Sequence, residues 1–299
     1  MNQWKGQTRG GITGYRIFVF FIRTFGLSFS YFFLKIVAVY FLFSSGEAHK
    51  ASYNYYRTGL KRGKIKAYFN VYSNYVAFGK VLVDRIAVLS GFVKKYTYDF
   101  DGEHHLRKMV EDKTGGILVN AHVGNWEIAG QLLERLNTRI NVLMFDAEHE
   151  KIKQYMSGVL VNKNVNIIVI KDGISHLEKI KEALENKEII AMNGDRFFEG
   201  NKVISCSFLG KEALFPVGPF YMAGKYKVPV TYAFAMKESK THYHFYATPP
   251  RWIENFNQLK ERDNSLKKVV TEYAAELERI VKRYPNQWFN FYDFWRHTQ

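Results

Sequence analysis

From Lys113 onward, short apolar runs alternate with segments of helical periodicity, and this alternation limits the fold more than any other feature. Gly116-Ile117-Leu118-Val119-Asn120-Ala121 follows a Thr-Gly-Gly turn and reads as a buried strand. Ile128, Ala129, Leu132, Leu133 and Leu136 then share one face of a helix predicted over 126–136. Further strands are predicted at 140–145, 166–170 and 188–192, with helices near 148–160, 174–186 and 264–283. Strands and helices alternating at these lengths predict βαβ units and a largely parallel sheet. Val228–Ala235 and Thr241–Ala247, separated by the polar Lys-Glu-Ser-Lys turn, predict an antiparallel hairpin at its side. The expected fold class is therefore α/β, a mixed and mostly parallel sheet flanked by helices.

The first part of the chain has a different character. Ile17 to Phe43 is apolar apart from Arg23, Lys35 and a few small polar residues. A spanning helix needs about 20 predominantly apolar residues, and a central Arg or Lys is costly in a bilayer. The two charges favour two shorter helices around Gly26, lying in the interface with the cations snorkelling outward. A tilted single span and a pair of buried core helices are the alternatives. The apolar stretch is too long for a cleaved signal peptide, and no small-residue cleavage site follows it at once. Residues 1–45 thus form an expected membrane-associating helical segment, and 46–299 an expected catalytic domain that is helical over 47–92. The run Lys61-Arg62-Gly63-Lys64-Ile65-Lys66 suits contact with anionic lipid.

A formal net charge of +15 predicts attraction to polyanions: nucleic acid, anionic lipid or an acidic carrier protein. Charge alone does not choose among these, while the 25 Phe and 20 Tyr suit a lipid interface or an apolar ligand; a nucleic-acid partner is not expected. With Cys206 as the one cysteine, an intramolecular disulfide and a cysteine-rich zinc site are excluded, which fits a reducing compartment. Cys206 lies in the apolar run Val203–Leu209 and reads as buried filler. His242 with His244, and Asp101-Gly102-Glu103-His104-His105, do not supply a recognised metal-ligand set, so no metal is expected.

In open parallel sheets, ligands bind beyond the carboxyl ends of the strands. Two polar loops fall there: Asn120 to Glu127, and Asn193 to Gly200. In the first, His122 leaves a strand, Gly124 permits a tight path, and Asn125 suits a helix N-cap with Glu127 in the first turn. A carboxylate at that spacing can fix an imidazole tautomer and leave the other ring nitrogen to take a proton from a hydroxyl. The helix N-terminus and loop amides can stabilise negative charge on a tetrahedral intermediate. The bland alternative is a helix-capping glutamate beside a satisfied loop histidine.

His122-Val123-Gly124-Asn125-Trp126-Glu127 resembles the H-x-x-N-W-E form of the H-x4-D/E signature of bacterial lysophospholipid acyltransferase-like enzymes, particularly the lipid A acyltransferases that add lauroyl or myristoyl chains. Met192-Asn193-Gly194-Asp195-Arg196 is similar to that family's strand-end aspartate motif, and Tyr284 to Phe289 with Trp295 to its C-terminal signature. The resemblance implies a glycerolipid acyltransferase-like fold, with His122 as general base and Glu127 as its partner. Asn125, Asn193, Asp195 and Arg196 would contact or shape the substrate pocket. It also implies an acyl carrier protein or coenzyme A thioester as donor, a membrane lipid or glycolipid hydroxyl as acceptor, no metal or nucleotide cofactor, and residence on the cytoplasmic face of a bacterial inner membrane. Ala51 to Lys80 lacks the Arg-x-Asn-Leu pattern usual in lipid A enzymes, and the chain looks closer to a branch of the superfamily associated with aryl-polyene or flexirubin-type lipids. A lipid esterase is the nearest rival, though no G-x-S-x-G elbow is present. A non-catalytic basic protein binding membrane or nucleic acid is the rival of another class.

Overall fold

The computed structural model describes residues 12–125, 128, 136, 138–145, 165–170, 175–198 and 200–295. Nine strands fall within them: β1 (Thr97–Asp101), β2 (Gly116–Asn120), β3 (Ile140–Phe145), β4 (Val165–Ile170), β5 (Ile189–Asn193), β6 (Val203–Phe208), β7 (Lys211–Pro216), β8 (Val230–Lys237) and β9 (His242–Ala247). Seven of them form one sheet in the order β1-β9-β8-β2-β5-β3-β4, and β6 and β7 form a separate two-stranded hairpin. Every neighbouring pair in the large sheet is parallel except β8 and β9, the hairpin foreseen around Lys-Glu-Ser-Lys. The expected mixed, mostly parallel sheet is what the chain forms.

Strand β2 sits near the centre because its side chains are apolar on both faces. Ile117 and Val119 join the larger core and Leu118 the smaller one on the opposite face. Among the described residues the α-helices, in chain order, are α1 (Ile12–Ser44), α2 (Gly46–Asn54), α3 (Lys64–Ala87), α4 (Glu103–Glu111), α5 (Ser175–Glu185), α6 (Gly218–Tyr226) and α7 (Leu259–Arg283). Helix α7 buries Leu266, Val269, Val270, Tyr273, Ala274, Leu277, Ile280 and Val281, a stripe at helical spacing. Glu261 in its first turn and Lys282 and Arg283 in its last complement the helix dipole.

Gly26 divides α1, with φ of 78° and ψ of 179°, a conformation closed to most side chains. The break falls where Arg23 and Lys35 led the sequence to place it. Arg16–Ser44 is long and apolar enough to cross a membrane by length and composition. One face of α1 packs Ile22, Tyr31 and Leu34 against Val83, Ile86 and Ala87 of α3. The helices approach so closely that a Cβ on Gly79 would lie 2.3 Å from Leu34. The opposite face leaves Phe20, Phe25, Phe32, Ile36, Tyr40 and Phe43 exposed.

Several expectations need correction. The helical stretch 47–92 is interrupted by π-helical turns at Tyr55–Gly59 and Val88–Phe92 and by a non-helical break around Lys61, whose φ is 53°. Strands β1, β6 and β7 and helices α4 and α6 were not foreseen. Their segments are short, and β1 is polar at alternate positions because it lies on the sheet edge. The helix predicted over 264–283 begins earlier, at Leu259. The helix predicted near 148–160, and that over 126–136 apart from Ile128 and Leu136, lie outside the described residues.

Candidate active site

Strands β2 and β5 pair in parallel register with Asn120 opposite Asn193, so the chains leaving both carboxyl ends emerge side by side. The Gly194 amide donates to the Asn120 carbonyl at 2.8 Å and extends that pairing past the strands. A side chain at 194 is excluded, because a Cβ would lie 2.5 Å from Val119. This close approach delivers Asp195 to His122.

The Asp195 carboxylate is 1% exposed and takes two hydrogen bonds from His122. The His122 amide donates to Oδ2 at 2.9 Å, and Nδ1 lies 2.7 Å from Oδ1. A carboxylate there fixes the proton on Nδ1 and leaves a lone pair on Nε2. Asn193 Nδ2 stands 3.4 Å from that Nε2, and the imidazole side chain keeps 18% exposure. Burial alone would raise the Asp195 pKa, but the charge and hydrogen bonds of His122 and the charge of Arg196 outweigh it and hold it below the usual carboxylate range.

The C-terminal segment closes round this pair. The Trp288 indole N–H points at Asp195 Oδ2 from 3.5 Å, and the Tyr292 hydroxyl donates to the Asp195 carbonyl at 3.1 Å. Arg196 donates to the Phe289 carbonyl at 3.1 Å and lies over the Tyr292 ring. The Phe289 amide donates to the His122 carbonyl, Gly124 donates to the Gln287 carbonyl, and Asn125 donates to the Ala235 carbonyl at 2.7 Å. Gly124 has φ of 57°, and a Cβ there would fall 2.0 Å from the Ala235 oxygen. The amides of His122, Gly124 and Asn125 are thus committed within the protein. These three therefore do not face a developing oxyanion, while residues 126 and 127 of the expected helix N-terminus lie outside the described residues.

Of the residues singled out in the sequence, His122, Asn193 and Asp195 meet at one point. Asn125 is buried: its Oδ1 accepts from the Ile128 amide at 3.3 Å, as an N-cap does, and its Nδ2 donates to Tyr243. Glu127 lies outside the described residues. The pairing of Asp195 with His122 was not foreseen, nor was Tyr273, which donates to the Asn120 carbonyl, nor the contact of Tyr292 with the Asp195 carbonyl. The aromatic tail carried the signal, but its residues also fit plain core packing, and Trp288 does pack against Tyr55, Phe208 and Phe294. Cys206 is buried beside Thr271, with burial raising its thiol pKa. His242 and His244 lie on β9, facing Asp99, Asp101 and Glu238.

A comparison with curated proteins finds no match. Among solved structures the chain is similar to the 1-acyl-sn-glycerophosphate (LPA) acyltransferase PlsC from Thermotoga maritima, at 18% identity and a TM-score of 0.37, covering 86% of this chain and 97% of that one. The model of the bacterial lipid A biosynthesis acyltransferases matches residues 9–297, so the chain belongs to that family and is an acyltransferase of lipid biosynthesis, with an acyl donor and a lipid acceptor as its substrates.

Proposed function

We propose that His122 is the general base of a direct acyl transfer from a thioester to a hydroxyl of a membrane lipid or glycolipid. The observation that carries this reading is the buried Asp195 carboxylate on Nδ1 of an imidazole that remains partly exposed at the end of β2. Nε2 takes the hydroxyl proton as the oxygen attacks the thioester carbonyl. The C–O bond forms, the C–S bond breaks, and the proton passes to the departing thiolate. Asp195 orients the ring and balances the imidazolium, while Glu127 acts as a second carboxylate of the same unit. Asn193 holds the Nε2 position until the acceptor hydroxyl displaces it, and Arg196 shapes the pocket wall. No metal or nucleotide cofactor takes part.

The donor in this reading is acyl carrier protein, whose acidity complements a chain of net charge +15, with coenzyme A thioesters as the alternative. Residues 1–45 hold the enzyme on the cytoplasmic face of the inner membrane through the exposed aromatic face of α1, and 46–299 carry out catalysis. Single-turnover transfer from a labelled acyl thioester tests the assignment. In detergent-solubilised, folded protein, His122→Ala should lose about 10²- to 10⁴-fold. Glu127→Gln should lose less, and the double variant little more than His122→Ala, because the residues act as one unit. Near-normal transfer by folded His122→Ala would leave the motif as a helix cap.

A further inference from the structure

A second buried charge pair lies behind the catalytic loop. Asp84, on α3, is fully buried, and its carboxylate receives the Lys237 ammonium at 2.5 Å on Oδ2. Three tyrosine hydroxyls converge on the same carboxylate: Tyr31 from α1, Tyr96 at 2.9 Å from the approach to β1, and Tyr243 from β9. The ammonium also lies over the Tyr31, Tyr96 and Tyr243 rings and donates to the Lys240 carbonyl. Burial pulls the Lys237 pKa down against the pull of Asp84, and pushes that of Tyr243 well up.

Two hydrogen-bonded routes lead from this cluster to the segment that carries His122. In the first, Asn125 Nδ2 donates to the Tyr243 hydroxyl at 3.2 Å while Asn125 Oδ1 accepts from the Ile128 amide at 3.3 Å. In the second, the Gln287 side chain clasps the Lys237 backbone on both sides, its Oε1 accepting from the amide at 2.9 Å and its Nε2 donating to the carbonyl at 2.7 Å. The Gln287 carbonyl then accepts from the Gly124 amide at 2.9 Å. Both routes end within three residues of His122, and the cluster begins on the α1–α3 helix pair that carries the exposed apolar face.

We infer that Asp84, Lys237 and Tyr243 are positioning residues for acyl transfer, holding the His122–Asn125 loop in register with the N-terminal helix pair. None of the three is assigned contact with substrate; each acts through Asn125 or Gln287. The inference rests on the assignment of His122 as base. Sub-ångström placement of a base matters because a displacement of about 1 Å can lower a rate by about 10²-fold.

The test is Tyr243→Phe in the full-length, solubilised enzyme, which keeps the ring and removes the one hydroxyl joining Asp84 to Asn125. The expected result is a kcat lowered about 5- to 30-fold at unchanged KM, with the shape of the pH profile retained, because Asp195 still orients the ring. Tyr31→Phe, which leaves the Tyr243–Asn125 contact intact, should lower kcat less. A purely structural role would move the unfolding midpoint and leave kcat at assay temperature alone. Full kcat in folded Tyr243→Phe, with His122→Ala inactive in parallel, overturns the positioning role alone. An active His122→Ala overturns the assignment of the base beneath it. Should Tyr243→Phe not fold, Asn125→Ala reads the same contact from its other end, and full kcat there likewise overturns the inference.

Discussion

Asp195 and Asp84 are both buried carboxylates set against a basic side chain, one at the end of the central strand and the other between α3 and β8. Their surroundings differ in what they leave over. Asp195 binds one nitrogen of a ring that has two, and the other nitrogen stands beside Asn193 at the end of β5. Asp84 is enclosed by an ammonium and three hydroxyls, and its Lys237 partner keeps only 9% exposure. The first arrangement can pass a proton to or from a substrate; the second has its donors directed inward. A buried ion pair thus marks chemistry only where one partner retains a lone pair facing outward.

The largest effect expected from this contrast is on stability. Lys237→Met removes the sole full positive charge that contacts Asp84 among the described residues and should destabilise the protein by about 3–5 kcal/mol, since a buried charge is left uncompensated. Urea unfolding in detergent measures it. A loss under about 1 kcal/mol would mean that the three tyrosines suffice to hold the Asp84 carboxylate without the ammonium.

Asp195→Asn should show the reverse balance. The rate of transfer should fall about 10²-fold, because an amide does not hold the Nδ1 proton or balance an imidazolium as a carboxylate does. Its effect on unfolding should be smaller than that of Lys237→Met, since backbone contacts from Tyr292 and Gly194 still fix the loop. Parallel rate and urea measurements on the two variants separate catalytic from positioning roles. An Asp195→Asn enzyme at full rate would remove the distinction.

The two sites were unequally legible in the sequence. His122 follows an apolar strand run and precedes a glycine and a capping asparagine, all local signals, so its place at the end of β2 could be read directly. Its pairing with Asp195 joins residues 73 positions apart and depends on the β2–β5 register, which periodicity does not specify. Lys237 opens the Lys-Glu-Ser-Lys segment and reads as an exposed turn, yet it is nearly buried because α1, α3 and β9 each send a tyrosine or aspartate over it. Asp84 reads as one polar residue in a helix. The large apolar periodicities sufficed for the central sheet and α7, whereas the short edge elements depend on tertiary pairing that outweighs local preference.

The smallest predicted effect is on acid stability, and its sign follows from Asp195. The folded state holds this carboxyl below its ordinary value of 3.8, so the folded protein binds the proton less readily than the unfolded chain. The stabilisation is fully present above 3.8 and is lost as pH falls through the lower folded value. Asp195→Asn has no such proton to bind. The stability of the wild type relative to the variant should therefore be flat from neutral pH down to the ordinary carboxylate range and narrow below it. Unfolding midpoints of both proteins across that acid range provide the measurement. A gap that stays constant through it would mean that Asp195 remains ionised or protonated alike in both states, and that its hold on His122 contributes to orientation without contributing to folding.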